Sequence, residues 1–364
     1  MLKYVKQFFI GLLTGANVVT VLLMLAVAYS DRLNPADYPS LGCLGMVLPF
    51  FLVANLLFLL LWLAVKWKRA WIPVAGFALA YVPIRTYLPL NLTGEETEND
   101  ITLVTYNVCS YGGNYKYEHA IDTVAGYLAR IDADIVCLQE DKSIKFDPLP
   151  QLRQLYPYND TTHVQAPNNK CINAVGIHTR FPIVRKERIG YESSANGSVA
   201  YFLKTGEDTI IVINNHLEST HLSADDRKSY KEVLKGKVER DSVDEEAWYL
   251  FDKLNQAAAQ RAPQADAVHQ YINAHRDYPI IVCGDFNDIP NSYTRHTIAQ
   301  GLTDCYVEAG CGLGLSYNQK GFNFRIDHIL CSSHFTPTMC KVDNKMDASD
   351  HYPVVCRLKM ADNH

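Results

Sequence analysis

Long apolar runs fill the first ninety residues of the chain, and short ones punctuate the rest. Phe8 to Tyr29 and Leu44 to Val65 are almost free of charge. Each is close to the ~20 residues that carry a helix across the hydrocarbon core, so two transmembrane helices are predicted at about 8–29 and 44–65. A third run, Trp71 to Leu90, is as apolar but contains Pro73, Pro83, Pro89 and Arg85. It predicts a third crossing over 71–90 or a re-entrant segment. The first run is long for the apolar core of a signal peptide and a second run follows it, which favours an uncleaved anchor. Lys3 and Lys6 precede the first span, and Lys66, Lys68 and Arg69 separate the second from the third. With three spans the positive-inside rule puts the N-terminus in the cytoplasm and everything after residue 90 outside it; with two spans the placement inverts.

Residues 91–100 are polar and acidic, and read as a linker to a globular domain over 101–364. There the pattern shortens and alternates. Ile101 to Tyr106, Ile135 to Gln139, Ala174 to His178, Ala200 to Leu203, Thr209 to Asn214, Pro279 to Cys283, Phe324 to Leu330 and Val354 to Leu358 read as strands. Tyr117 to Ile131 has helical spacing. Ser223 to His275 reads as one or two helices laid over a sheet, with a kink or restart expected at Pro263. Strands interleaved with helices and hairpin-like turns predict a mixed-sheet α/β sandwich.

Composition changes this picture in two places. The chain carries a formal net charge of −5, and no basic footprint of the kind a duplex-DNA binder shows stands out. The cluster Arg227, Lys228, Lys231, Lys235, Lys237 and Arg240 is interleaved with acids and reads as a solvated helix face. Ten cysteines include no Cys-x-x-Cys pair, which removes zinc ribbons and thioredoxin-like chemistry. Cys109, Cys137, Cys283 and Cys331 sit within or beside short apolar runs as small buried hydrophobes, and a pair among Cys305, Cys311, Cys340 and Cys356 stays open.

Chemistry collects where the strands end. Val104-Thr105-Tyr106 runs into Asn107, Val136-Cys137-Leu138 into Gln139 and Glu140, Ile211-Val212-Ile213 into Asn214, Asn215 and His216, and Ile281-Val282-Cys283-Gly284 into Asp285, Phe286 and Asn287. Strand ends that converge are how α/β sheets build sites. No Gly-x-Ser-x-Gly elbow surrounds Ser219 or Ser349, which removes a serine hydrolase.

Six segments occur in order: Thr105-Tyr106-Asn107-Val108, Asp134 to Glu140, Asn214-Asn215-His216-Leu217, Gly284-Asp285-Phe286-Asn287-Asp288, Arg325-Ile326-Asp327-His328 and Ser349-Asp350-His351-Tyr352-Pro353. Together they resemble the endonuclease/exonuclease/phosphatase (DNase I-like) superfamily over roughly Ile101 to Leu358, as a membrane-anchored member. The resemblance implies a four-layered α/β sandwich after the N-terminal helices, and a metal-dependent phosphoesterase. It implies that Glu140, Asn107 and Asp350 serve a Mg²⁺ ion, for which Mn²⁺ is a substitute. Asp285 would orient or deprotonate the attacking water with Asn287 beside it, and His216 would donate to a phosphoryl oxygen. His351 would stabilise growing charge, oriented and kept protonated by Asp327; Asn214 and Arg325 would bind substrate.

The implied reaction is in-line attack of water on a phosphate ester, with no covalent intermediate. Cys109 stands where the apurinic endonucleases carry an acid, and the strings typical of inositol 5-phosphatases are absent, so neither subfamily fits. The expected partners are a phosphate-ester substrate, a lipid headgroup or small phosphorylated molecule ahead of nucleic acid, and the bilayer itself. A metal-dependent nuclease and a non-catalytic tethered module are the alternatives. The second would have lost acid/base residues that this chain retains.

Overall fold

The computed structural model describes residues 2–92, 100–112, 119–141, 150–165, 173–193, 195–220, 226, 240–319 and 322–361. The basic cluster apart from Arg240, and most of the linker at 91–100, lie outside them.

The N-terminal region begins with α1 (Leu2–Ala28) and α2 (Leu48–Val65). Among the described residues, two helices are long and apolar enough to cross a membrane. The third apolar run forms two short helices, α3 (Trp71–Leu79) and α4 (Tyr81–Tyr87). Proline explains the break. Pro73 and Pro83 each stand in the first turn of their helix, where the missing N–H has no intrahelical partner to lose. Pro83 also leaves the carbonyl of Leu79 without its helical donor, and Tyr29 Oη fills that role at 2.6 Å.

That bond ties the end of α3 to the end of α1, while Arg69 Nη1 donates to Ile10 O at 2.8 Å near the start of α1. α3 therefore runs back alongside α1 and returns the chain to the end where α1 stops. Asn17 and Asn55, both fully buried, join the first two helices. Asn17 Nδ2 donates to Asn55 Oδ1, and Trp62 Nε1 donates to Asn17 Oδ1 at 2.9 Å. Paired amides of this kind fix the rotation of two apolar helices against each other.

The catalytic region is built on two six-stranded sheets. Sheet one holds β1 (Ile101–Asn107), β2 (Ile135–Gln139), β3 (Tyr158–His163), β4 (Ala174–Thr179), β13 (Phe335–Val342) and β14 (Val354–Met360), in the order β13-β14-β1-β2-β4-β3. Sheet two holds β5 (Ile183–Ile189), β6 (Gly197–Thr205), β7 (Asp208–His216), β8 (Ile280–Asp285), β9 (Thr303–Asp304) and β12 (Asp327–Cys331), in the order β5-β6-β7-β8-β12-β9. A small hairpin, β10 (Tyr317–Gln319) and β11 (Phe322–Phe324), stands apart.

Period-two alternation divides each strand between two cores. Leu103, Ile135, Cys137, Val212, Ile281, Cys283 and Ile329 meet between the sheets. Val104, Tyr106, Val136 and Leu138 face the helix Ala120–Ile131 on one outer side. Ile211, Ile213, Ile280, Val282 and Leu330 face the long helix Arg240–Ala274 on the other. Helix, sheet, sheet, helix is the four-layered sandwich that the motifs imply.

The long helix does not restart at Pro263 but continues through it. Ala265, Val268 and Ile272 are buried against sheet two, and that burial outweighs the ~3 kcal/mol an interior proline costs. Among the described residues every cysteine is a free thiol. Cys305, Cys340 and Cys356 share the inter-sheet core without bonding covalently.

Candidate active site

The same alternation that builds the inter-sheet core continues to the strand ends, where apolar residues give way to polar ones. Along β8, Ile281 and Cys283 face inward, so Asp285 does too; along β7 the inward series is Val212, Asn214 and His216. Asn107 ends β1 by the same rule. The pairs Asn107 with Gln139, His216 with Asp285 and Asp327 with Asp285 are directly opposite in the ladders. Five strands thus deliver polar side chains at one end of the sandwich, and the loop before β14 adds Ser349, Asp350 and His351. Two residues there hold left-handed backbone, Glu140 at φ 52° and Asn287 at φ 53°. Non-glycine residues adopt that conformation only where their surroundings compel it.

Asp285 is the centre. Asn107 Nδ2 donates to its Oδ2 at 3.0 Å, and the Asn287 N–H donates to its Oδ1 at 2.8 Å. His351 Nε2 lies 3.7 Å and His216 Nε2 3.8 Å from Oδ2. The turn is pinned by Leu217, whose N–H reaches Asp285 O at 3.0 Å and whose carbonyl accepts Asn287 Nδ2 at 2.9 Å. Burial raises the Asp285 carboxyl to about 6, against the pull of His351.

The two imidazoles are in opposite states. Burial disfavours the His351 cation, but Asp327, hydrogen-bonded to Nδ1 at 2.8 Å, and Asp285 outweigh it and push the ring up to about 10. His216 is lowered by burial in spite of Asp285. Asn173 Nδ2 donates to its Nδ1 at 3.1 Å, which leaves the proton of the neutral ring on Nε2, facing Asp285 and Glu140. Neutral His216 and cationic His351 therefore both offer an N–H to the space beside Asp285.

These groups open into a cleft of about 180 Å³ whose walls include Glu140, His216, Asp285, Asn287, Asp350 and His351. Glu140, with 35 % of its side chain exposed, lies 3.9 Å from His216 Nε2 and accepts from Asn107 Nδ2 at 3.3 Å. Asp285, Asp327 and His351 bring ligand atoms within 4.8 Å of one another, although His351 Nδ1 and Asp327 are already committed to each other. Carboxylate oxygens on the cleft wall from Glu140 and Asp350 are the hard donors Mg²⁺ prefers, and the surplus of buried acid is what a divalent cation offsets.

Three of the expected site residues are placed differently from the rest. Asn107 turns Nδ2 toward the Glu140 and Asp285 carboxylates, while its Oδ1 accepts from Cys109 N–H at 3.0 Å. Asn214 lies one step deeper, wholly buried. Its Oδ1 accepts from Gln139 Nε2, and its Nδ2 donates to Leu138 O and Gly176 O at 3.0 and 2.9 Å. Every hydrogen of that amide is spent on joining the sheets.

Arg325 is buried as well. It donates to Thr86 O in the last turn of α4 and to Leu313 O, and lies over the Tyr306 ring, so it caps α4 instead of meeting substrate. Sequence reasoning did not single out Asn173, and it placed Ser349 in a motif without foreseeing that its Oγ donates to Asn107 O at 2.7 Å. A polar residue just before β4 was the one available signal for the first.

A family model described as the endonuclease/exonuclease/phosphatase family matches residues 104–351, and one described as a domain of unknown function (DUF8431) matches residues 8–87. No curated protein matches the chain. Among solved structures, the human Nocturnin catalytic domain with bound sulfate anion is similar at 16 % identity, covering 73 % of this chain and 97 % of that one, with a TM-score of 0.51. An endonuclease/exonuclease/phosphatase family protein from Bacteroides thetaiotaomicron is similar at 17 % identity, over 73 % of this chain and 100 % of that one, with a TM-score of 0.50. D. rerio TDP2 humanised by 14 mutations reaches 15 % identity, 72 % and 100 % coverage and a TM-score of 0.50. Identities this low speak for the fold alone.

Proposed function

Because the chain belongs to the endonuclease/exonuclease/phosphatase family, whose members hydrolyse phosphoesters, we propose that it is a membrane-anchored, Mg²⁺-dependent phosphoesterase. Its substrate on this reading is a lipid headgroup or small phosphorylated molecule. The observation that carries the reading is a buried carboxyl, Asp285, flanked within 3.8 Å by one neutral and one cationic imidazole beside an acid-lined cleft.

Each group then has a task. Asp285, ionised above about pH 6, takes the proton of the attacking water, and the Asn287 N–H fixes the carboxylate's orientation. His351, held cationic by Asp327, donates from Nε2 to a non-bridging phosphate oxygen and offsets the charge that grows there. His216 donates its Nε2 proton to the same group, and Asn173 keeps that tautomer in place. Glu140 and Asp350 would hold Mg²⁺, which supplies Lewis-acid polarisation of the phosphate.

The placement of the catalytic region outside the cytoplasm also belongs to this reading. It is supported by α3 running back to the α1–α2 loop, because that loop and the catalytic region touch: His296 Nδ1 lies 3.4 Å from Asp31, and Cys43 N–H donates to Asn255 Oδ1 at 3.0 Å. Two surfaces in contact share one side of a bilayer. If α1 crosses from a cytoplasmic N-terminus, that side is the far one.

The test is hydrolysis of bis-p-nitrophenyl phosphate by the full-length protein with Mg²⁺ and with EDTA, alongside Asp285→Ala and His351→Ala. Chelation and either substitution should each remove activity. Equal rates in wild type and both variants would refute the reading. A panel of plasmid DNA, RNA, phospholipids and nucleotides then identifies the natural ester.

A further inference from the structure

The catalytic cleft has a wall that the catalytic fold does not supply. Gly42, Cys43 and Met46, from the loop between α1 and α2, line it together with the acid and imidazole groups. The loop is seated by backbone contact on both flanks. Cys43 N–H donates to Asn255 Oδ1 on the long helix, and a Cβ on Gly42 would stand 2.8 Å from the Ala258 Cβ of the same helix. A Cβ on Gly45 would stand 2.0 Å from Asn291 O, just past the Asp285 turn. Both glycines are therefore needed for the loop to lie this close.

The wall is apolar. Met46 is half-buried and precedes the first residue of α2 by two positions, so it stands where the cleft meets the start of a lipid-facing helix. Phe50, Val53 and Leu57 on α2 are more than half exposed, which is the pattern of a helix surrounded by hydrocarbon. Ile289 and Phe324 extend the apolar lining from the catalytic side. One part of the cleft thus suits a phosphate and another suits hydrocarbon, and the second part is continuous with the membrane region.

We propose that the α1–α2 loop is a specificity-determining wall of the active site, with Met46 holding the apolar portion of an amphiphilic phosphoester whose phosphate lies at Asp285 and His351. The proposal rests on the phosphoesterase reading and deepens it. Met46 and its neighbours touch the substrate's hydrocarbon and act through binding; the acids and imidazoles act on its phosphate.

The experiment uses the full-length protein in lipid nanodiscs with Mg²⁺ and a series of p-nitrophenyl alkyl phosphodiesters, methyl, butyl and octyl. They share one leaving group and differ in hydrocarbon length. In the wild type kcat/KM should rise at least tenfold from methyl to octyl. Met46→Asn, and separately Gly45→Val, which must displace the loop from Asn291, should reduce that octyl-to-methyl ratio at least fivefold, mostly through KM. A ratio within one preparation is independent of how much protein is folded, and partition of octyl ester into the disc is the same for wild type and variants.

A flat series in the wild type, or a rise that both variants keep, overturns the wall. Failure to release p-nitrophenolate from any of these esters and from p-nitrophenyl phosphate overturns the phosphoesterase reading itself.

Discussion

Replacing Asp327 with asparagine isolates the one electrostatic step that geometry and charge jointly define. Asparagine keeps an oxygen able to accept the Nδ1–H of His351, now 2.8 Å from the carboxylate, but removes the negative charge. With the imidazole at about 10, His351 is almost wholly cationic at pH 7.5. Returned to the ordinary ~6.5, only about one ring in ten would be, and burial pulls the value lower still. The expected loss in kcat/KM is therefore at least ~10-fold at pH 7.5 and ~100-fold at pH 8.5, shrinking toward pH 6. The assay is kcat/KM for bis-p-nitrophenyl phosphate from pH 5.5 to 10.5 at saturating Mg²⁺.

The wild-type alkaline limb should lie near 10 and move to ~6.5 or below in Asp327→Asn. Stability follows the same sign. A folded-state pKa raised above the unfolded one stabilises the fold fully below ~6.5, and that contribution is lost as pH rises through about 10, so the variant's melting deficit should be largest on the acidic side. A variant that keeps the limb near 10, or loses the same factor at every pH, would refute the charge assignment and leave Asp327 only an orienting role.

Other consequences are as direct. The acid limb of kcat/KM should fall about tenfold per unit below about pH 6, where the Asp285 carboxyl protonates, and Asp285→Asn should cost ~10²–10⁴-fold at pH 7.5; a residual rate near wild type would exclude it as the base. Gly284→Ala should unfold the catalytic region or destabilise it by ~3 kcal/mol or more in thermal melts, because φ is +127° and the new Cβ would meet Asn215 O at 2.1 Å. Arg325→Met should lower the melting temperature while changing kcat/KM less than about twofold; a well-folded but inactive variant would return Arg325 to the substrate. Leu92, 95 % exposed, replaced by cysteine in a Cys311→Ser background should react with an impermeant thiol reagent in intact cells, and protection there would overturn the extracytoplasmic placement.

Much of the site could be read from sequence because it obeys a local rule. A strand that alternates inward and outward must deliver its terminal polar residue to a predictable face, which is why Asp285, His216 and Asn107 are found together; Glu140, one residue past the inward-facing Gln139, joins them with a left-handed backbone that alternation does not foretell. Depth is a different matter. Asn214 and His216 share the inward face of β7, and only the packing of sheet one against sheet two decides that the first is sealed while the second meets the cleft. Arg325 shows the same limit over a longer range, since Thr86, its partner, is 239 positions away. The break in the third apolar run was legible in Pro83, but the bond that Tyr29 makes to the freed carbonyl was not. The helix does not restart at Pro263 because burial of the surrounding apolar stripe, a tertiary effect, outweighs a local one.

The order of strands in sheet one bears on how the enzyme comes into being. β14, the last strand, lies between β13 and β1, paired to β1 from Ile101 with Leu358 to Thr105 with Val354. The first strand of the catalytic region therefore lacks one neighbour until almost the whole chain has been made. His351, three residues before β14, arrives in the same late step. Long-range closure of this kind is slow and cooperative, while the apolar helices ahead of it are complete early in synthesis. The N-terminal helices are thus complete before the site can be, and a ribosome-bound or C-terminally truncated form has Glu140 and Asp285 but lacks the strand that seals the sheet and, with Asp350 and His351, the last groups of the site.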